Sequence, residues 1–169
     1  FGETVVITPR NFPLPFRHTE TLEHHYAMIG MASASPVFPL YAEAVNEKGL
    51  AMAGLNFPGN AFYRDASGSA GDASDNLELA SFEMIAWFLG KCASVDEAEG
   101  YLDRLCIVDT AFAEKMPPAP LHWMLVDEDR CLVIEQVREG LKIYENPVGV
   151  LTNNPPFDFH LMNLNNYMN

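Results

Sequence analysis

The chain is short of positive charge, of long apolar runs and of cysteine, and each shortage closes off a class of function. Its 169 residues hold 10 Lys and Arg against 23 Asp and Glu, a formal net charge of −13. A surface of that sign repels phosphate backbones and anionic headgroups, so neither nucleic acid nor a membrane is expected as a partner. The most apolar run, residues 77–89, is interrupted by Glu78, Ser81 and Glu83 and is too short to cross a bilayer. Cys92, Cys106 and Cys131 are odd in number and lack CxxC spacing, which predicts free thiols in a reducing, cytoplasmic setting. There is no Gly-rich phosphate loop, GxSxG elbow, HExxH helix, zinc spacing or internal repeat. The acidic runs do not alternate as calcium ligands do. His24 and His25 are adjacent, so on a strand they point to opposite faces and do not share one ion. Neither a metal nor an organic cofactor is expected.

What is present is a core. Hydrophobic residues make up 49% of the chain and aromatics 11%, enough for one packed domain. Residues 4–7 read as a strand entered without the turn that should precede it, so the natural start is expected upstream. Residues 24–30 and 41–45 follow as strands. Asn46-Glu-Lys-Gly49 then turns the chain into residues 50–55, which are small and apolar enough to be buried on both faces. A long exposed loop precedes a helix expected over residues 76–90, and Ser94 with Glu97 forms the capping box of a second helix. Strands over residues 121–126, 131–137 and 141–144 make a meander, residues 148–152 a short fourth strand, and residues 157–167 a helix. His122 reads as a satisfied sheet histidine, because no acid partner is signalled nearby. Phe112 and Met116, on a proline-rich loop, either cover the core edge or line a pocket.

One device occurs twice. Leu55-Asn56-Phe-Pro58 and Leu151-Thr-Asn-Asn-Pro155 each place an asparagine at a strand's end beside a proline that forbids continuation. Taken alone, Asn56 is an ordinary turn residue. Two such amides facing one point would form an oxyanion site.

These segments, with Asn46-Glu-Lys-Gly49, Leu121-His-Trp123, Gly149-Val-Leu-Thr152 and the Asn-rich stretch after Asn163, resemble the choloylglycine hydrolase family across essentially the whole chain. The resemblance implies the α+β, four-layer αββα sandwich of N-terminal-nucleophile hydrolases. It implies a single domain over residues 1–169, partial with respect to the family. The implied chemistry is cleavage of the amide bond in glycine- or taurine-conjugated bile salts through an N-terminal cysteine. That cysteine would be activated by its own α-amino group, since an amine near about 8 and a thiol near about 8.5 exchange a proton readily.

By the same resemblance Asn56 and Asn153 stabilise the tetrahedral intermediate. Ser35, Pro39, Ala42, Thr110, Phe112 and Met116 fall on the loops that line the substrate pocket. An asparagine at position 56 resembles the bile salt branch rather than the penicillin V acylase branch, where tyrosine is frequent. The nucleophile is expected outside these residues, because Cys92, Cys106 and Cys131 are internal, and the chain by itself is expected to be inactive. A homotetrameric parent is implied. A different acyl preference and a noncatalytic binding protein that kept the pocket are the alternative readings.

Overall fold

The computed structural model describes residues 2–33, 35, 37–66 and 76–168. Seven strands form one antiparallel sheet: β1 (Glu3–Thr8), β2 (Met28–Ser33), β3 (Leu40–Asn46), β4 (Ala51–Asn56), β7 (Leu121–Val126), β8 (Cys131–Val137) and β9 (Gly140–Glu145), in that spatial order. Between β4 and β7 the chain leaves the sheet to build β5 (Leu77–Ala80), α1 (Met84–Lys91), α2 (Val95–Leu102) and β6 (Leu105–Val108), and it ends in α3 (Phe157–Leu164) and a 3₁₀ turn. The β3–β4 hairpin and the β7–β8–β9 meander follow the expected pattern. Gly49, at φ 92°, supplies the left-handed residue that the hairpin turn requires.

Asn46 holds that hairpin to the helix layer. Its buried Nδ2 donates to the carbonyls of Leu89 and Cys92, both at 2.8 Å, and its Oδ1 accepts the N–H groups of Lys48 and Leu50. Carbonyls at the end of α1 have no intrahelical partner, so one amide closes a turn and caps a helix together. Leu50 and Met52 are buried beneath α1 in the main apolar cluster, alongside Leu89 and Trp123. Ala51, Ala53 and Leu55, on the other face, are only half-buried, which corrects the expectation of burial on both faces. This second face is apolar and open along β1 to β3, where Val5, Ile7, Ile29 and Val45 are exposed.

Three elements differ from the sequence-based expectation. The helix expected from residue 76 is a strand first. Leu77–Ala80 pairs in parallel with Leu105–Val108, a strand that local pattern missed, and α1 begins only at Met84. The break is held by Glu83, whose carboxylate accepts Ala80 N–H at 2.8 Å and Arg17 N–H at 2.6 Å. Burial pushes that carboxyl above its ordinary range despite both donors. Residues 148–152 are not a strand. Asn146 gathers the N–H groups of Val148 and Gly149 and the carbonyl of Val150 on its side chain, and Gly149 sits at φ 65°. A local side-chain turn thus outcompetes a ladder. The second strand begins at Met28, after both histidines: His24 Nδ1 meets Asn11 Oδ1, and His25 lies between the Tyr26 and Phe12 carbonyls.

The Ser94 half of the capping box is present as expected, with Ser94 Oγ accepting Glu97 N–H at 3.2 Å, whereas the Glu97 carboxylate reaches one residue further back and accepts Ala93 N–H at 2.8 Å. Asp127, from the β7–β8 turn, takes Val95 N–H at 2.7 Å and fixes the helix to the sheet. Ser94→Ala is expected to lower stability by about 1 kcal/mol, the usual cost of an N-cap. Chemical denaturation with an unchanged slope would check it.

Candidate active site

Asn56 is the last residue of β4, opposite Leu121, and its side chain is exposed. The ladder runs one step further, since Phe57 N–H donates to Pro120 O at 2.8 Å, before Pro58 and Gly59 turn the chain. Strand alternation sends the Phe57 ring to the opposite face, where it is fully buried. The chain after the turn is held by Tyr63, whose hydroxyl accepts Leu121 N–H at 2.7 Å and donates to Ala119 O at 2.8 Å. Burial pushes the Tyr63 phenol up to about 12, so it remains a neutral donor across the physiological range.

Asn153 lies on the exposed segment before α3. Its neighbour Asn154 donates from Nδ2 to Pro58 O at 3.0 Å and accepts Asn60 Nδ2 at 2.9 Å. The loop after Asn56 and the loop of Asn153 are therefore fastened to each other, although they are almost a hundred residues apart in sequence. Asn60 and Asn154 are committed to this junction. Asn56 and Asn153 have no side-chain hydrogen bond to another described residue, so their donors remain available to a ligand.

The six expected pocket residues do not form one cluster. Ser35 and Pro39 line a cavity of about 130 Å³ with Val6, Ile7, Thr8 and Phe12. Ala42 is exposed on β3. Thr110 Oγ1 lies 2.8 Å from His18 Nε2. Phe112 covers the core edge, edge-to-face with Phe82 at 5.2 Å, and Phe82 in turn meets Phe38 at 5.7 Å. Met116 is exposed. The aromatic chain from Phe112 through Phe82 to Phe38 connects the loop of Thr110 to the loop of Ser35 and Pro39, and Arg17 adds a hydrogen bond to Phe112 O at 2.9 Å.

Beneath the two asparagine loops His122 is a buried sheet histidine, as expected, but it has the acid partner that local reading did not supply. His122 Nδ1–H donates to Glu135 Oε1 at 2.9 Å, and both side chains are fully buried. The acid partner comes from the adjacent strand, one step beyond the Trp123–Ile134 pair. The signal was legible: once the meander turn is placed at residues 127–130, position 122 falls opposite position 135. The His122 ring stacks on Phe57 at 4.2 Å with planes 8° apart. Glu135 Oε1 also accepts Phe157 N–H at 3.0 Å, at the first turn of α3.

The cysteines are poorly placed for nucleophilic work. Cys92 is buried, with its thiol pushed up to about 12 by burial, and burial also raises Cys106 and Cys131. A thiol held protonated in this way is inert. Among the described residues no group of His, Cys, Asp and Glu is arranged to hold a metal ion, and no helix is long and apolar enough to cross a membrane.

Comparison with known proteins places the chain among characterised relatives. A bile salt hydrolase/transferase of Lactiplantibacillus plantarum is 50% identical over 167 residues, covering 99% of this chain and 50% of that protein. A conjugated bile acid hydrolase of Lactobacillus gasseri is 37% identical over 168 residues, with 99% and 52% covered. The chain thus spans about half the length of the curated relatives it matches. A crystal structure of a variant conjugated bile acid hydrolase from Clostridium perfringens has a TM-score of 0.89 at 35% identity, over 99% of this chain and 50% of that one. Penicillin V acylase from Agrobacterium tumefaciens, at 23% identity and a TM-score of 0.74 over 98% of this chain and 48% of that one, shares the fold. The fold is the α+β, αββα architecture of N-terminal-nucleophile hydrolases, of which the seven-stranded sheet and its helices are one part. The family model for linear amide C–N hydrolases of the choloylglycine hydrolase type matches residues 1–169, and with these likenesses it shows that the chain belongs to the choloylglycine hydrolase family.

Proposed function

We propose that this chain is the oxyanion-stabilising part of a bile salt hydrolase, one partial domain over residues 1–169 of a longer gene product. The observation that carries the reading is the junction of the two asparagine loops. Asn60, Asn154 and Pro58 O bind the loops together and leave Asn56 and Asn153 uncommitted. In the reaction, a cysteine thiolate outside these residues attacks the amide carbonyl of a glycine- or taurine-conjugated bile salt, and the C=O electron pair moves onto oxygen. Asn56 and Asn153 donate to that oxyanion. Collapse re-forms the carbonyl and breaks the C–N bond, and the amine leaves with the proton taken from the thiol. Water then attacks the thioester, releasing the bile acid and returning the thiol.

Ser35, Pro39, Ala42, Thr110, Phe112 and Met116 are assigned to the acyl-binding loops. Apolar and flexible side chains there suit a steroid face. Cytoplasmic residence and a homotetrameric state are carried into this reading from the family resemblance.

The test is comparative turnover by the gene product that contains this chain. Glycocholate and taurocholate are expected to release glycine and taurine with kcat/KM at least about tenfold above that for penicillin V, a difference of one pocket-sized binding increment. The reverse order of substrates overturns the bile salt assignment. Binding of glycocholate without release of amine overturns the enzymatic reading in favour of a binding protein.

A further inference from the structure

Resting on that reading, we propose that the buried His122–Glu135 pair is a positioning device that aims the Asn56 and Asn153 amides at one oxyanion. Each member of the pair holds one of the two loops. On one side His122 stacks flat on Phe57. Phe57 follows Asn56, and its backbone is already fixed by Pro120 O. With the backbone and the ring of residue 57 both held, the end of β4 has little freedom to rotate, and the Asn56 Cα–Cβ bond leaves the sheet in a set direction. On the other side Glu135 Oε1 takes Phe157 N–H. Phe157 is buried against Tyr144 at 5.6 Å and lies four residues after Asn153. The Asn153 segment is thereby pinned twice: Glu135 holds its C-terminal side, and Asn154 ties it to Pro58 and Asn60.

The hydrogen bond from His122 Nδ1 to Glu135 Oε1 joins these two supports beneath the site. A polar pair inside a sheet is costly to desolvate, and a hydrophobic pair of similar volume is often equally stable. What a hydrophobic pair does not supply is a directed bond to Phe157 N–H and a fixed orientation for the ring under Phe57. Neither His122 nor Glu135 touches the substrate in this arrangement. Both act through Asn56 and Asn153.

The test uses the gene product that contains this chain and glycocholate hydrolysis. Glu135→Leu, which keeps volume and removes the acceptor, is expected to lower kcat by about 10- to 100-fold with KM within roughly twofold, as displacement of a transition-state donor does. Glu135→Gln, whose amide oxygen takes the place of Oε1, is expected to recover most of that loss. Phe57→Leu removes the stack and is expected to lower kcat in the same way. Combined with Asn56→Ala, Phe57→Leu does not lower kcat much further, and Glu135→Leu adds little to an Asn56→Ala/Asn153→Ala double variant, because a misaimed amide and an absent one are equivalent; a purely structural effect would multiply instead. If Glu135→Leu does not yield folded protein by circular dichroism, Phe57→Leu alone and with Asn56→Ala decides by the same readouts.

Unchanged kcat in Phe57→Leu and any folded Glu135→Leu, a Phe57→Leu loss that multiplies with Asn56→Ala, or a Glu135→Leu loss that multiplies with the Asn56→Ala/Asn153→Ala double variant, overturns the proposal while Asn56→Ala still inactivates. An unchanged kcat in Asn56→Ala itself removes the oxyanion reading, and this proposal with it.

Discussion

Replacing Asn56 or Asn153 by alanine in the full gene product is expected to lower kcat for glycocholate hydrolysis by ~10²–10³, the cost of removing one oxyanion donor. KM should change little, because the ground-state carbonyl oxygen carries far less charge than the oxyanion and gains less from the donor. Stability should also change little. Both side chains are exposed, neither is hydrogen-bonded to another described side chain, and substitutions at such positions fall within about 0.5 kcal/mol. Asn56→Asp is the sharper control. It keeps the size of the side chain but replaces the donor by a carboxylate that repels the developing negative charge, so it should be at least as inactive as alanine. Steady-state release of glycine, with a melting curve on each variant, is the measurement. A kcat within threefold of the parent in both alanine variants removes Asn56 and Asn153 from the mechanism.

The same substitution ten residues earlier should have the opposite signature. Asn46→Ala leaves the carbonyls of Leu89 and Cys92 and the N–H groups of Lys48 and Leu50 without the partners they have now. Each buried group left unpaired costs about 1–3 kcal/mol, less where water or local rearrangement recovers a bond. The expected loss is on the order of 3–5 kcal/mol, a fall in Tm of roughly 10 °C, with the residual folded fraction retaining its kcat. Asn46→Asp should not rescue it, because its second oxygen would face two carbonyls at the distance where Nδ2 now donates. Scanning calorimetry against initial-rate kinetics separates the two outcomes. A Tm within 2 °C of the parent would show that the Asn46 side chain does not hold α1 to the β3–β4 hairpin.

Local reading succeeded where the determinant was local. The β3–β4 hairpin is written in Asn46-Glu-Lys-Gly49, the meander in its two short polar turns, and the α2 start in Ser94 and Glu97, all within a few residues of the structure they specify. It failed at residues 77–80, which adjoin a helix and share its apolar character. Their partner strand, Leu105–Val108, is parallel and lies beyond both helices, so no short window contains the pair. At residues 148–152 it missed that Asn146 captures three backbone groups which would otherwise be free for a ladder. The partner of His122 lies across the ladder on β8, because a strand residue's closest neighbours are on the adjacent strand rather than along the chain. Phe112 lies against Phe82 at the core edge, a contact across 30 residues of sequence that local pattern does not contain.

The acidic character of the surface, the hairpin, the meander, the capped helix and the resemblance carried by residues 46–60 and 149–155 were determined by the sequence alone, because composition and short-range stereochemistry suffice for them. Only the tertiary structure decided which asparagines are committed and which are free. Asn46, Asn60, Asn146 and Asn154 hold backbone or one another, while Asn56 and Asn153 hold no described side chain. An asparagine has the same donors and acceptor wherever it stands. Whether they are used up depends on partners such as Leu89 for Asn46 and Pro58 for Asn154, which folding brings to hydrogen-bond distance from 43 and 96 residues away.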